Sequence, residues 1–239
     1  MTTLFAAALS LLLSGPAFAG PAQDLAQAAD PDLPKAARMQ AFERLVAVGS
    51  TDLGVVQKAA LDTKSADTRS RWVAIRVLGK VGGPRARQLL VQLASDPEPA
   101  IRAAALQAMG DTGDRSLEPE VVDALGDPAV IVRAGAASAL CSIGSGAAVD
   151  PLSTALDSRD SFYRGSSLWV RRHYIETMGC IGSRKALPAL LRSLDDRDDA
   201  VAEATLGAFA KIAGFDYAEG RDAAEQKEAW RRWAQAQLR

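Results

Sequence analysis

The sequence predicts an all-α fold: a right-handed α-solenoid of about six two-helix repeats, closed by a C-terminal capping helix. Three observations carry this expectation. The segment DPEPAIRAAALQAMGDTG, beginning at Asp96, is followed 31 residues on by DPAVIVRAGAASALCSIG, beginning at Asp127. That period belongs to stacked helix pairs, none of which buries its apolar face alone. A column of small residues then extends the pattern through Gly49, Gly82, Gly113, Gly144, Gly182 and Ala213, in steps of 33, 31, 31, 38 and 31. Finally, aromatics make up only 5% of the chain and Ala is abundant, which suits closely packed helices better than a sheet.

Each repeat is justified by its columns. Four residues before the small column stand Leu45, Leu78, Met109, Leu140, Met178 and Phe209. Seven before stand Phe42, Ile75, Leu106, Ala137, Ile175 and Leu206. These offsets lie on one helical face, so they predict the buried side of the first helix in each unit. Six before come Glu43, Arg76, Gln107, Ser138, Glu176 and Gly207, the wet side. The small column itself is expected to end each helix in the left-handed conformation. Second helices follow, ending near Leu61, Ala94, Leu125, Leu156 and Leu194, with Pro119 and Pro188 at the starts of two of them.

An Arg stands eleven residues before the small column in five units: Arg38, Arg71, Arg102, Arg133 and Arg171. Asp32, Asp96, Asp127 and Asp196 lie six residues ahead of their Arg or at the equivalent place. Asp is expected to cap the first helix, and Arg to reach the acidic turn of its own or the next unit. The two columns predict a structural ladder along the stack rather than a track for polyanions.

The ends of the chain read differently. Leu4–Leu13 is an apolar run of signal-peptide length, and Ala17, Phe18 and Ala19 before Gly20 have the form of a cleavage site, although no Lys or Arg precedes the run. Residues 1–19 are therefore expected to be a signal peptide cleaved after Ala19, which places the protein in the periplasm or outside the cell with no membrane insertion after cleavage. Residues 20–31 are expected to be a flexible segment or partial helix, 32–214 the solenoid, and 215–239 a capping segment with a helix from Ala223. Trp230 and Trp233, three apart, share a face of that helix.

Twenty-eight Lys and Arg against 29 Asp and Glu leave no global field to attract nucleic acid. The motif D-P-x-x-x-x-R-x-x-A-x-x-A-L-x-x-I-G, followed by a Leu-rich helix, resembles the HEAT repeat in the short form of the phycobilin lyases. The resemblance runs from Asp32 to Gly214 and is closest in the third and fourth units. It implies an inner surface lined by the second helices and a role in protein interaction. Some such proteins are di-iron enzymes with several His-Glu pairs, but this chain has one His and no such pair. Cys180 and His173 lie nearly two helical turns apart, too far for a catalytic pair. The acidic run Asp195–Asp199 lacks the Gly and spaced Glu of a calcium loop and reads as a solvated helix start. No catalytic residue, metal site or cofactor is expected.

Two features break the pattern. The 38-residue step marks an insertion at 157–168, DSRDSFYRGSSL, which brings Phe162, Tyr163 and Arg164 into a turn just before Trp169 and the single His173. Insertions in repeat arrays form loops that often bind partners, and aromatics with Arg dominate interface hot spots. These five residues form the candidate partner site, although Phe162 and Tyr163 could equally fold back over the gap that the insertion opens. Trp72 stands outside the core columns as a partly buried surface residue. The second feature is the cysteine pair. Cys141 falls in a small column (Val46, Gly79, Gly110, Gly179, Ala210) and is expected to pack internally, whereas Cys180 falls in a polar column and is expected to be more exposed. They form a disulfide if their Cα atoms come within about 7 Å; otherwise they are free thiols or a bilin-type attachment point.

The favoured function is a non-catalytic scaffold that binds another protein. An enzyme subunit resembling the phycobilin lyases is the alternative, and nucleic-acid binding a second one opposed by the charge balance. Neither the partner nor the oligomeric state can be read from the sequence.

Overall fold

The computed structural model describes residues 20–64, 66–216, 220 and 222–239. The expected signal peptide lies outside them. Thirteen α-helices occur among the described residues. The chain divides into two compact units, one ending at Val77 and one running from Leu78 to Arg239, where a single array from 32 to 214 had been expected.

The first unit holds α1 (Pro21–Ala29), α2 (Lys35–Gly49), α3 (Gly54–Leu61) and the first part of α4 (Thr68–Val81). The segment expected to be flexible or partly helical holds a packed helix. Pro21 stands in the first turn of α1, where its missing N–H costs nothing. Asp24 is buried on the other side, 2.7 Å from Arg44 Nη2 of α2, and Gln27 accepts a second bond from that guanidinium. A carboxylate held by a charge-assisted pair at this depth fixes the helix that carries it. Asp67, which the column analysis missed, caps α4 by accepting from the N–H groups of Arg69 and Ser70. Trp72 is 39% exposed, with the Arg76 guanidinium over its ring.

The second unit continues with α5 (Gly83–Leu93), α6 (Pro99–Thr112), α7 (Glu118–Asp123), α8 (Val130–Ile143), α9 (Val149–Asp157), α10 (Val170–Ile181), α11 (Leu187–Ser193), α12 (Asp199–Ala213) and α13 (Ala223–Gln237). The first helices α6, α8, α10 and α12 pack side by side, and the second helices α5, α7, α9 and α11 each lie against the first helix that follows. This is the two-layer arrangement that stacked helix pairs need to bury a continuous core. All six residues of the Leu45-to-Phe209 column are buried in their respective units. Pro119 and Pro188 fall in the first turns of α7 and α11, as expected.

The small column behaves in two ways. Gly113 and Gly182 are left-handed, with φ of 70° each, and Gly82 has a positive φ of 65° with an extended ψ, whereas Gly144 is extended and Gly49 lies inside α2. In the last unit the left-handed role passes from Ala213 to Gly214, at φ 80°, because a Cβ in that region clashes with the backbone. The column three residues earlier sets how closely helices approach. A Cβ added at Gly110 would come within 2.8 Å of Ala139 Cα, and one at Gly179 within 2.9 Å of Ala208 Cα.

That close approach explains the cysteines. Cys141 and Cys180 form a disulfide between α8 and α10, with Cα atoms 5.2 Å apart, and both residues are exposed. The expectation that Cys141 packs internally is therefore corrected. The two columns point in different directions on one helix, but these cysteines sit on two helices at their closest contact, where neighbouring columns meet. Replacing both with Ser is expected to cost about 2–4 kcal/mol, since the bridge closes a loop of 39 residues in the unfolded chain. Urea unfolding with and without reductant checks it: the wild type should shift on reduction and the double variant should not.

Two rungs of the ladder form, at Arg102 and Arg171, while Arg71 and Arg133 donate to backbone carbonyls. Arg102 makes a bidentate pair with Asp127, its Nε and Nη2 at 2.8 and 2.9 Å from the two carboxylate oxygens. Arg171 does the same to Asp196, at 2.7 and 3.2 Å. Each Arg thus bonds the acidic turn of the next unit. Buried Arg71 donates to the Ala60 carbonyl. Arg38 makes no rung with Asp32, however: its Nε is buried without a hydrogen-bond partner, and Asp32 is an exposed part of a local turn with Asp30. The Asp residues do not cap their helices directly. Asp96, Asp127 and Asp196 accept from the N–H two residues on, at Glu98, Ala129 and Asp198, so they fold the turn that precedes the cap.

Candidate functional site

The insertion is a small β-hairpin. α9 stops at Asp157, and a 3₁₀ turn at Arg159–Ser161 leads into β1 (Phe162–Tyr163), which pairs antiparallel with β2 (Ser166–Ser167). Phe162 faces Ser167 and Tyr163 faces Ser166. Arg164 and Gly165 make the turn at φ 50° and 82°. A two-residue hairpin loop of this hand requires positive φ at both positions. Gly accepts this freely, but Arg164 pays roughly 1–2 kcal/mol for it. The Leu168 N–H to Ser161 carbonyl bond (2.9 Å) closes the base, and Ser161 Oγ ties it to the Ala155 carbonyl on α9.

The five candidate residues fall into an inner and an outer set. Phe162 is 37% exposed, and the Arg171 guanidinium lies 4.5 Å from its ring centre. It does part of the covering that the sequence left open. Tyr163 is 62% exposed, with the Arg164 guanidinium over its ring at 5.3 Å. Trp169 is 51% exposed at the start of α10, and its ring meets the edge of His173. His173 Nδ1 is 3.4 Å from Glu176 Oε2, an interaction local to the helix. The hairpin and the start of α10 therefore present Tyr163, Arg164 and Trp169 outward, and hold Phe162 and His173 closer in.

Clefts surround the hairpin. One of about 540 Å³ is lined by Pro128, Arg133, Arg159, Phe162 and Tyr163 among others. One of about 710 Å³ lies on the other side, between Phe162, Arg171 and the acidic turn Asp195–Asp198. A third, of about 400 Å³, opens on the second-helix face between α7 and α9, with Tyr174 and Arg133 in its wall. The acidic run serves structural ends: Asp195 pairs with Arg231 at 2.6 Å, Asp196 with Arg171, and Asp198 caps α12. Cys180 is held in the disulfide and offers no thiolate beside His173. Among the described residues, no group of three or more His, Cys, Asp or Glu is placed to hold a metal, and no helix is long and apolar enough to cross a membrane.

The column analysis missed Tyr174. It is fully buried, yet its hydroxyl has no hydrogen-bond partner. Burial pushes its pKa up, against the pull of the nearby Arg133 guanidinium and Ser161 hydroxyl. Its signal was available in the sequence as a Tyr one position before the core residue Ile175, where a polar end inside a core needs a partner.

Comparison with solved structures places the fold. A Kap121p mutant matches with a TM-score of 0.55 at 17% identity, over 82% of this chain and 26% of its own. A designed armadillo repeat protein in complex with the peptide (KR)4 matches with a TM-score of 0.52 at 17% identity, over 81% of this chain and all of its own. The complex of CpcE and CpcF of phycocyanin lyase from a Nostoc species gives 0.39 at 18% identity, over 92% and 96%. For the first two, at these identities, the likeness is one of fold. No curated protein matches the chain significantly. The model of the HEAT repeats matches residues 59–127, 88–169 and 119–210. With the helix pairs, the ladder and this match over most of its length, the chain belongs to the HEAT-repeat proteins.

Proposed function

We propose that this protein is an exported, non-catalytic interaction module whose hairpin docks onto another protein. The observation that carries the reading is the exposed pair Tyr163 and Arg164 on a hairpin with a constrained turn, beside exposed Trp169 at the start of α10. Aromatics and Arg on a rigid support lose little conformational freedom on binding, which is why they dominate interface hot spots. The repeat fold supports the coarser part of the reading, since HEAT and armadillo repeats serve widely as protein-binding surfaces. The exposed disulfide supports export, because such bridges persist in oxidising compartments.

The test is proximity cross-linking in native cells, comparing wild type with a Phe162→Ala, Tyr163→Ala, Arg164→Ala variant of equal thermal stability. A partner captured by the wild type should fall at least tenfold in the variant, consistent with the loss of two hot-spot side chains. The partner should come from the periplasmic or secreted fraction, and the protein recovered with it should itself begin at Gly20. Equal capture by both would remove the hairpin from the interface, and a cytoplasmic chain with its first nineteen residues intact would overturn export.

A further inference from the structure

The cleft between α7 and α9 contains a vacancy in the ladder. Arg102 and Arg171 each meet a carboxylate from the next unit. Arg133 does not, because Ser158 stands 25 residues on, where Asp127 follows Arg102 and Asp196 follows Arg171; it folds the same turn, accepting from the Asp160 N–H, but brings no carboxylate. Its Nη1 donates to the carbonyls of Asp127 and Pro128 and its Nη2 to the carbonyl of Asp160, while its Nε is buried without a partner. Asp127 is close, but its carboxylate is taken bidentately by Arg102 and also accepts the Ala129 N–H. Arg133 is thus a guanidinium only 5% exposed whose hydrogen bonds all go to backbone carbonyls, with the Asp127 carboxylate near enough to interact only through charge, an arrangement that leaves a buried cation without a paired carboxylate.

Beside it stands the second unpartnered group. The Tyr174 hydroxyl is wholly buried, and both residues line the same cleft of about 400 Å³. Val122, Leu125, Pro151 and Ala155 give the rest of the wall an apolar character. Asp150 and Asp160 also line it and are exposed; a carboxylate at the rim disfavours ligands of high negative charge.

We propose that this cleft binds a single carboxylate carried on an apolar body, with Arg133 and Tyr174 as its donors. The ligand completes the rung that Ser158 leaves without a carboxylate: it does at Arg133 what Asp127 does at Arg102. The carboxylate comes from one of two sources, a small organic acid or the C-terminus of a peptide ending in an apolar residue. The inference is independent of the hairpin reading, since none of these residues is an exposed hairpin side chain.

The test is calorimetric titration of the purified protein with 4-methylpentanoate, its amide, and the peptide acetyl-Gly-Ala-Leu with a free or amidated C-terminus. Each acid should bind at least tenfold more tightly than its amide, as expected of charge-assisted hydrogen bonds. Tyr174→Phe should weaken the acids about tenfold. That variant should fold as well as the wild type or better, since it removes a buried hydroxyl without a partner. A peptide acid preferred over 4-methylpentanoate identifies a chain terminus, and equal affinity a small acid. Equal binding of acid and amide, no binding of either acid, or unchanged titration of a folded Tyr174→Phe protein each overturns the proposal. The hairpin triple variant should titrate as wild type, so failure here is distinguishable from failure of the docking surface.

Discussion

Arg102→Ala is expected to remove about 3 kcal/mol of folding stability at neutral pH. Its side chain and that of Asp127 are only 14% and 13% exposed, and the pair is bidentate. Removing the guanidinium leaves a partly buried carboxylate facing Arg133 alone, and frees the carbonyls of Asp96 and Pro97 that Arg102 also holds. Urea unfolding checks the loss, and a change below about 0.5 kcal/mol would place the pair with ordinary surface ion pairs. Arg102→Lys should restore little, because an ammonium cannot make the parallel pair of bonds.

The same pair predicts a pH dependence. Burial pushes the Asp127 carboxyl upward, but the Arg102 hydrogen bonds, the Ala129 N–H and the charges of Arg102 and Arg133 outweigh it and hold the folded pKa below the usual range. Asp196 is depressed in the same way by Arg171 and the Asp198 N–H, again against the upward push of burial. A folded pKa below the unfolded value stabilises the fold above the unfolded pKa of about 3.9, and this stability is lost as pH falls through the folded value. Wild type should therefore lose stability below about pH 4 more steeply than Arg102→Ala, which has already lost the Asp127 contribution.

The second large effect is at the C-terminal helix. Trp230→Ala is expected to cost about 3–5 kcal/mol and to expose an apolar end that aggregates. Trp230 is 1% exposed and stacks on Phe209 of α12, with ring centres 5.7 Å apart and planes 11° from parallel. Trp233 closes the group edge-on to both rings. The capping box of Asp222 and Glu225 starts α13 in register. Thermal unfolding and light scattering provide the readouts. Arg232→Ala, on an exposed side chain of the same helix, should change stability by less than about 0.5 kcal/mol. A Trp230→Ala protein that remained monomeric and equally stable would remove the capping role.

Much of this architecture was legible because a repeat states each structural requirement several times. A single Leu at position 140 is ambiguous; six apolar residues in one column, from Leu45 to Phe209, define a buried face. The start of α13 and the positions of Pro119 and Pro188 followed from the same local chemistry of helix starts. α1 was not legible, because what fixes it is the pairing of Asp24 with Arg44, twenty residues away. The shape of the insertion was only half legible. Arg164-Gly165 reads as a turn, but the two short strands depend on the backbone bond between Leu168 and Ser161.

By itself the sequence determined the helix pairs, the core face, the ladder residues and the place where the repeat is interrupted, all of which depend on local spacing. Only the tertiary structure decided which Arg meets which Asp, that Cys141 meets Cys180, and that Arg133 and Tyr174 line one cleft. The physical reason is that these features depend on the distance between neighbouring helices. Close approach at the Gly110 and Gly179 column brings adjacent α-helices together, and each rung spans the distance from a first helix to the turn of the next unit. Neither distance is encoded in the period of a single helix.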